Sequence, residues 1–395
     1  MTMHHEPAGP HARPHHDRTD SRVTLRGPAD LADALPYLLG YHPEDSIVLI
    51  GLHGPRGRVG GRVRIGIPED AGGWPETARE LADCLLEGGT AHGSRPDAAV
   101  ICLCRDPAGG EAPAQVRDRL APLAQWLRTA CGSRDLPVLE ALCISGGRYW
   151  SYCCPDPECC DGEGTRLPSG TSPMAAAAAH AGILVHGSLG DLERRLDPLG
   201  EPAASRQADA FEAVAGALVP RILDDRGEAE AVRLSTLRLA GELITRYRRA
   251  TADNRQAATG DPAVADARDD ALLTSEEAAT LIIGLQDRLA RDRAAEWMEG
   301  PDAAPALRLW RALARRCIGP WSGHAAAPLT LAGWVAWSTG DRVGARTALG
   351  RAVRADPEYV FGRLLLQALR EGLDAEPLRR CMRRQRACRT VDRRP

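Results

Sequence analysis

Four thiols lie within the eight residues Cys153-Cys-Pro-Asp-Pro-Glu-Cys-Cys160, the densest group of reactive side chains in the chain. The prolines and the glycines that follow are typical of a chain reversal, which could bring Cys154 onto one metal ion with Cys159 or Cys160. The spacing differs from that of a two-residue zinc knuckle, and no second cysteine pair of that form is present. Three interpretations stay open: metal binding by Cys154, Cys159 and Cys160, with zinc as the candidate metal; redox or disulfide chemistry; and a structural loop.

A second group of polar side chains precedes the first apolar strand. The five residues 42–46 combine a base, two carboxylates and a hydroxyl. One hypothesis is an enzyme in which His42 acts as acid or base and Asp45 orients it. The alternative is a tight turn, because proline, aspartate and serine are what a reversal into a strand requires. The candidate residues are His42, Asp45 and Ser46 for catalysis, and Tyr37, Glu44, Arg105 and Asp106 for ligand binding.

Composition excludes several kinds of chemistry. The chain contains no lysine, so all 50 basic residues are arginine. This excludes Walker-A phosphate binding, protein-kinase chemistry and Schiff-base catalysis, each of which needs a lysine amine. With 53 acidic residues the formal charge is −3, which provides no overall field to hold nucleic acid or anionic lipid.

Targeting signals are missing from the sequence pattern. No run of about 18 apolar residues occurs, and the first residues lack the charged-then-apolar pattern of a signal peptide. We therefore expect a cytoplasmic protein with no membrane contact, whose twelve cysteines are kept reduced. Residues 1–22 are rich in histidine and proline and poor in aliphatic side chains, which predicts a disordered tail.

A predicted mixed sheet positions both candidate groups. Ser46–Leu52 is an apolar strand, and Val59–Ile67 is its hairpin partner. Strands at Ala98–Cys104 and Pro137–Ile144 alternate with helices, which predicts parallel pairing through crossovers. A turn leads into a last antiparallel strand, Arg148–Tyr152. We therefore predict an α/β domain at 23–198, with a partly parallel sheet flanked by helices and followed by an all-α helical domain.

The predicted topology separates the two groups. The carboxyl ends of the parallel strands lie at the edge where the Ser46 strand begins, and open α/β sheets bind ligands at that edge. Arg105 and Asp106 are thus expected near His42, and the cysteine loop at the opposite edge. Cys102 and Cys104 alternate on one strand, so we expect both thiols to be buried on one face of the sheet.

The second half of the chain shows helical spacing only. We predict a linker at 199–207 and a helical domain at 208–378, in which a polar run, 251–268, separates two groups of helices and the tryptophans belong to the core. Residues near Thr330 to Pro357 resemble one tetratricopeptide unit. The functional interpretation is a concave partner-binding surface, and the alternative is a packed helical hairpin.

The last residues, 379–395, form an Arg-rich tail. Between Arg379 and Arg394 there are eight arginines and one acidic residue. Phosphate binding there would give nucleic-acid affinity with a steep salt dependence. The alternative is a solvated tail, since arginine supplies every basic side chain of this protein.

Three segments together resemble one family. These are Pro36-Tyr-Leu-Leu-Gly-Tyr-His-Pro-Glu-Asp-Ser46, the stretch from Trp150-Ser-Tyr through Cys154-Pro-Asp-Pro-Glu-Cys-Cys-Asp-Gly-Glu-Gly-Thr165, and Leu329–Asp341. They resemble the actinobacterial domain of unknown function 4192, from about Val23 to Leu373. The resemblance implies a cytoplasmic actinobacterial protein and no particular activity. It also implies a single cysteine before the Asp-Pro step, so that Cys153 is an additional thiol.

The resulting expectation is a ligand- or metal-binding α/β domain joined to a helical domain that binds a protein partner, acting as a regulatory or scaffold protein. One alternative is an enzyme of unknown reaction at the 42–46 loop. Another is nucleic-acid binding through the C-terminal arginines. No residue pattern identifies a substrate, a partner or an oligomeric state.

Overall fold

The computed structural model describes residues 24–91, 94–154, 162–168, 172–181, 183, 185–223, 227–252 and 261–391. The chain divides between Val185 and His186 into two compact units. The first contains a mixed sheet with helices, and the second is almost entirely helical, which confirms the predicted fold class. The predicted tail 1–22 lies outside the described residues.

Apolar strands and proline-started helices build the first unit. Nearly every residue of the second strand and all residues of the fourth are buried, because both faces of the sheet are covered. Proline begins three of the helices, where its missing N–H costs no hydrogen bond. The order is α1 (Pro28–Leu39), β1 (Tyr41–His42), β2 (Ser46–His53), β3 (Arg58–Gly66), α2 (Trp74–Ala91), β4 (Ala98–Cys104), α3 (Pro113–Gly132), β5 (Val138–Ser145), β6 (Arg148–Ser151), β7 (Thr165–Arg166) and α4 (Pro173–His180).

The main sheet of this unit has the order β3-β2-β4-β5-β6-β7. Strand β2 is antiparallel to both β3 and β4, whereas β4 and β5 are parallel. Strands β3, β4 and β5 therefore run in one direction, and their carboxyl ends share an edge with the start of β2, as predicted. Ser46 lies opposite both Gly66 and Cys104. We call this edge of the sheet the carboxyl edge.

Each face of the sheet has its own apolar layer. Ile47 and Leu49 pack towards α2 and α3, whereas Val48 packs towards α1. This alternation follows from the two-residue period of a strand. Cys102 and Cys104 are both fully or nearly fully buried in the α1 layer, which confirms the prediction for these thiols.

The second unit is an array of packed helices. Trp310 and Trp334 are fully buried and Trp337 nearly so, which confirms that these tryptophans are core. Thr274 and Glu277 form the predicted capping box. The order is β8 (His186–Ser188), α5 (Leu189–Arg194), α6 (Ala203–Ile222), α7 (Glu228–Ala252), α8 (Pro262–Ala271), α9 (Ser275–Gly284), α10 (Arg288–Ala294), α11 (Ala303–Arg315), α12 (Ala326–Ser338), α13 (Arg342–Ala355), α14 (Val360–Arg370) and α15 (Glu376–Val391).

Helix α8 begins within the polar run 251–268 and extends three residues beyond it. Its Asp266 and Asp269 are buried, and each forms an ion pair, with Arg195 and Arg308 respectively. The buried face of α8 is therefore partly ionic, so hydrophobic periodicity does not reveal it. Helix α6 likewise begins inside the segment predicted as a linker.

The described part of the Arg-rich C-terminal segment belongs to helix α15. Arg379 and Arg383 contact Glu299 at 2.8 and 3.2 Å, and Arg389 pairs with Glu296. Met382 is buried beneath the helix. Residues 392–395 lie outside the described residues.

Helices α12 and α13 form an antiparallel hairpin where the sequence resembles a tetratricopeptide unit. A helical hairpin is expected both for a tetratricopeptide unit that binds a partner and for an ordinary packed pair of helices. The resemblance to a tetratricopeptide unit therefore stays a prediction. Within the described ranges, no helix is both long enough and apolar enough to cross a membrane.

Candidate functional site

The carboxyl edge begins with a chain reversal before β2. Helix α1 ends at Gly40, whose φ of +83° is left-handed. The chain then passes through β1 to Asp45, with a φ of +41°, a conformation that aspartate adopts more readily than most residues. The Asp45 carbonyl accepts a hydrogen bond from the N–H of Ile67 at 2.8 Å. This bond ties the reversal to the end of β3.

Ser46 is fully buried and orients an arginine on the neighbouring strand. Its hydroxyl donates to the carbonyl of Glu44 and accepts from Nε of Arg64 at 2.9 Å. A second donor of Arg64, Nη2, reaches the Glu44 carbonyl at 3.3 Å. The ring of Tyr41 lies 6.0 Å from the guanidinium carbon, at the outer limit of a cation–π contact. Ser46 is therefore a positioning residue for Arg64.

Asp45 holds a second arginine, at the end of β4. Its Oδ1 accepts from Nε of Arg105 at 2.7 Å. The Arg105 side chain is 18% exposed, whereas that of Asp45 is 69% exposed. The backbone N–H of Arg105 also donates to the Ile144 carbonyl at 3.1 Å, which fixes the residue between β4 and β5. The sequence predicts Arg105 near His42, and the structure places the Arg105 side chain on Asp45 of the same loop.

Asp106 stabilises the next turn of the same edge. Its Oδ1 accepts from the N–H of Gly146 at 2.8 Å. Gly146 has a φ of +54°, and a Cβ there would lie 2.7 Å from Cγ of Pro113, so only glycine fits. The adjacent Ser145 is 1% exposed, and its hydroxyl has no hydrogen-bond partner among the described residues. The Asp106 carboxylate is therefore already hydrogen-bonded to the backbone of this turn.

The remaining candidates enter these contacts only through the backbone carbonyl of Glu44. His42 is exposed at the end of β1, and Glu44 is exposed in the turn. Tyr37 is half-buried in the last turns of α1. The carboxylate of Asp45, predicted to orient His42, faces Arg105. The structure thus brings Asp45 and Ser46 together with arginines rather than with His42.

The sequence predicted a role for Arg105 and none for Arg64. The place of Arg64 follows from the register of the hairpin: Arg64 pairs with Val48 on β2 and so shares a face with Ser46, two residues before Val48. A guanidinium offers five N–H donors, of which the contacts above occupy two on Arg64 and one on Arg105. The other donors can bind an anion.

The thiols of Cys102 and Cys104 lie buried beneath this edge and are unreactive. Burial raises the pKa of Cys102 to about 12, and the neighbouring carboxylate of Glu140 adds to the effect. Burial also raises the pKa of Cys104 well above its usual value. Because the thiolate is the reactive form, both thiols stay protonated at neutral pH, which makes them poor nucleophiles.

The start of the cysteine loop lies away from the carboxyl edge. Ser151 pairs with Leu142, in the middle of β5, whereas Arg148 pairs with Ser145 at its end. The Ser151 hydroxyl donates to Glu140 at 2.6 Å and accepts from the N–H groups of Cys153 and Cys154, each at 3.1 Å. These bonds anchor the first residues of the loop to the sheet.

Of the three thiols predicted to bind a metal, the structure describes only Cys154. Cys159 and Cys160 lie outside the described residues. In the ranges that the structure describes, no group of three or more histidine, cysteine or acidic side chains is arranged to hold a metal ion. Burial raises the pKa of Cys153, which keeps that thiol protonated. Metal binding by the loop stays a prediction.

Most of the chain matches a known protein family. The family described as "Domain of unknown function (DUF4192)" matches residues 28–376. No curated protein and no solved structure matches the chain.

Proposed function

Because the chain belongs to the DUF4192 family, whose description names no activity, we propose a function from the carboxyl edge alone: the α/β unit binds a small anionic ligand through Arg64 and Arg105. The supporting observation is that two adjacent residues at the start of β2, Asp45 and Ser46, each hold one of these arginines. An arginine held through Nε presents its remaining donors in a fixed plane, which suits carboxylate and phosphate groups.

The position of the two arginines supports the same function. Strand β2 lies between β3 and β4; Arg64 pairs with Val48, whereas Arg105 follows Cys104, the partner of Ser46, so the two backbones are roughly 10 Å apart across the sheet and roughly 10 Å apart along it. Arginine side chains are long enough to contact one ligand from that separation. The carboxyl ends of parallel strands are also where open α/β sheets bind ligands.

Isothermal titration calorimetry with inorganic phosphate tests the proposal. The wild type is compared with Arg64→Gln and Arg105→Gln, and with Arg58→Gln as the matched control, since Arg58 lies exposed at the far end of β3. A charge-assisted hydrogen bond contributes about 1.5–3 kcal/mol, so each edge variant should bind about tenfold more weakly or worse. Equal affinity of all four proteins, or no heat of binding in the wild type, contradicts the proposal.

Ser46→Ala separates positioning from direct contact. It leaves Arg64 in place but removes the acceptor for its Nε. We expect a smaller loss of phosphate affinity than in Arg64→Gln, because the guanidinium remains present and is less well oriented.

The enzymatic alternative at the 42–46 loop stays a prediction. Its catalytic assignment needs Asp45 and Ser46 to serve His42, and their contacts are with Arg105 and Arg64. The geometry favours the binding function over it.

The metal-binding alternative has its own test. Elemental mass analysis of the purified protein is compared for the wild type, Cys154→Ser, Cys159→Ser and Cys160→Ser. Near-stoichiometric zinc that is lost in the variants supports a metal centre in the loop. Metal-free wild type with normally titrating thiols contradicts it.

The regulatory or scaffold role, a protein partner for the helical unit and nucleic-acid binding by the C-terminal arginines stay predictions. Ion pairs already engage Arg379, Arg383 and Arg389 of α15. This lowers the number of arginines that nucleic-acid phosphates would find available.

A further inference from the structure

The helical unit contains a cavity of about 300 Å³ that the proposed function does not use. It lies between α7, the end of α10 with the turn that follows, and α15. Its lining is Leu234, Leu237, Arg238, Arg293, Glu296, Trp297 and Arg386. The volume is at the lower end of the range for small-molecule sites, about 300–1,000 Å³.

One wall of the cavity is apolar and aromatic. Leu234 and Leu237 are three residues apart on α7 and so lie on one face of the helix. The Trp297 ring is supported from behind by Trp310, with ring centroids 6.3 Å apart and planes tilted by 41°. Gly241 of α7 lies beside the indole, since a Cβ there would be 3.7 Å from Cζ2 of Trp297. A half-buried indole with fixed neighbours provides a surface on which a flat group can stack.

The other wall is positively charged. Arg238, Arg293 and Arg386 contribute guanidinium groups, and the one acidic side chain, Glu296, is engaged by Arg389 of α15. Among the described residues, Arg238 and Arg386 form no ion pair.

Helix α15 shows why Arg386 differs from its neighbours. Arg379, Arg383 and Arg389 on the packed side of the helix all contact Glu299 or Glu296. Arg386 follows Arg383 by three residues and the buried Met382 by four, so it projects from the same side. The three ion pairs fix the helix and leave Arg386 at the cavity without a carboxylate.

We propose that this cavity binds a small aromatic anion: a flat ring packs on Trp297 and the two leucines, and a carboxylate or phosphate group on the ring contacts Arg238 and Arg386. The site lies in the second unit and is separate from the anion site proposed for the α/β unit. Apolar burial of the ring and charge-assisted hydrogen bonds to the anionic group both contribute to affinity.

Calorimetry with 1-naphthyl phosphate and 1-naphthoate tests this site in the full chain and separates the two anionic groups. Inorganic phosphate lacks the ring, and 1-naphthol lacks the charge. To exclude the carboxyl edge, the titrations are repeated in Arg105→Gln. In the Arg105→Gln protein, the proposal expects one or both naphthyl anions to bind at least about tenfold more tightly than either inorganic phosphate or 1-naphthol.

Four substitutions then locate the site. Arg238→Gln and Arg386→Gln should each weaken binding of the naphthyl anion by about tenfold or more. The matched controls are Arg249→Gln on α7 and Arg384→Gln on α15, exposed residues on the same two helices that do not line the cavity. Circular dichroism verifies that each variant is folded.

Several outcomes overturn the proposal. One is equal binding of inorganic phosphate and the naphthyl anions by the Arg105→Gln protein, which would show that the ring does not contribute to affinity. Another is an equal loss in Arg384→Gln and Arg386→Gln, which makes the effect one of overall charge. A third is that neither naphthyl anion binds at millimolar concentration. Failure at this cavity leaves the carboxyl-edge proposal intact, because that site is tested separately with phosphate and Arg105→Gln.

Discussion

Leu349 of α13 rests directly on the backbone of Gly333 in α12: a Cβ at Gly333 would lie 2.6 Å from Cγ of Leu349 and 3.2 Å from the Ala345 carbonyl oxygen. The two helices of the hairpin can approach this closely only because residue 333 has no side chain. Gly333 lies within the segment near Thr330 to Pro357, whose resemblance to a tetratricopeptide unit stays a prediction.

Gly333→Ala should destabilise the protein by about 1–3 kcal/mol, because the added methyl group must displace Leu349 or separate the helices. The free energy of unfolding in urea measures the effect. Gly350→Ala on α13 is the control, since its Cβ would meet only the end of Arg354, at 3.9 Å. That variant should be unchanged or slightly more stable, because alanine favours helix by up to about 1 kcal/mol. Equal stability of the two variants would show that α12 and α13 are not in close contact.

Gly164 should be equally intolerant of substitution in the α/β unit. It has a φ of +75°, and a Cβ there would lie 2.3 Å from Cε2 of the buried Trp150. Gly164→Ala should cost at least about 1–3 kcal/mol, from backbone strain and from displacement of the indole. Thermal unfolding compares it with Gly162→Ala, whose Cβ would meet nothing within 4 Å. A Gly164→Ala protein with the melting temperature of Gly162→Ala would contradict the packing of Trp150 on Gly164.

Asp287 should contribute stability that depends on pH. The hydrogen bond from Arg233 lowers the pKa of Asp287 below its usual 3.8, with help from the backbone N–H groups of α10. A carboxyl whose pKa is lowered on folding stabilises the folded state above pH 3.8 and loses that contribution as the pH falls below it.

Asp287→Asn isolates the ionic part of this contribution, since asparagine can still cap α10. The variant should be less stable by about 1 kcal/mol between pH 5 and 8, and the difference should shrink as the pH falls towards and below 3.8. Urea unfolding at a series of pH values measures this difference. The exposed Asp209 provides the control: Asp209→Asn should follow the wild type throughout. If Asp287→Asn is still less stable than the wild type by the same amount at the lowest pH, the ionic explanation is wrong.

The cysteines should fall into two reactivity classes. Cys84, Cys381 and Cys388 are exposed, whereas burial raises the pKa of Cys102 to about 12 and that of Cys131 and Cys143 to about 11. Because the thiolate reacts with iodoacetamide, the exposed thiols should be alkylated in the native protein and the buried ones only after unfolding. Peptide mass spectrometry after brief labelling at pH 8 distinguishes the classes. Rapid labelling of Cys102 in the folded protein would contradict its place in the α1 layer.

Much of the fold follows from local sequence patterns. The continuous apolar runs of β2 and β4, the alternation of strands with helices over 74–145, and the capping box at Thr274 each report a local preference that the packed structure preserves. The predicted crossovers also brought the end of β4, where Arg105 lies, to the edge at which β2 begins. These features are predictable because periodicity and turn chemistry act over a few residues, and the connection rules of α/β sheets leave few alternatives.

The tertiary structure alone decided which polar and charged side chains contact each other. Asp45 holds Arg105, Ser46 holds Arg64, Asp266 of α8 holds Arg195, and Glu296 holds Arg389, in each case across a long separation in the chain. Sequence patterns do not identify such partners, because arginine supplies all 50 basic side chains and every one of them could in principle pair with many carboxylates. The cavity beside Trp297 likewise exists only because three helices meet there. Apolar spacing specified the elements and their faces, whereas the partners of the arginines depended on how those faces packed against each other.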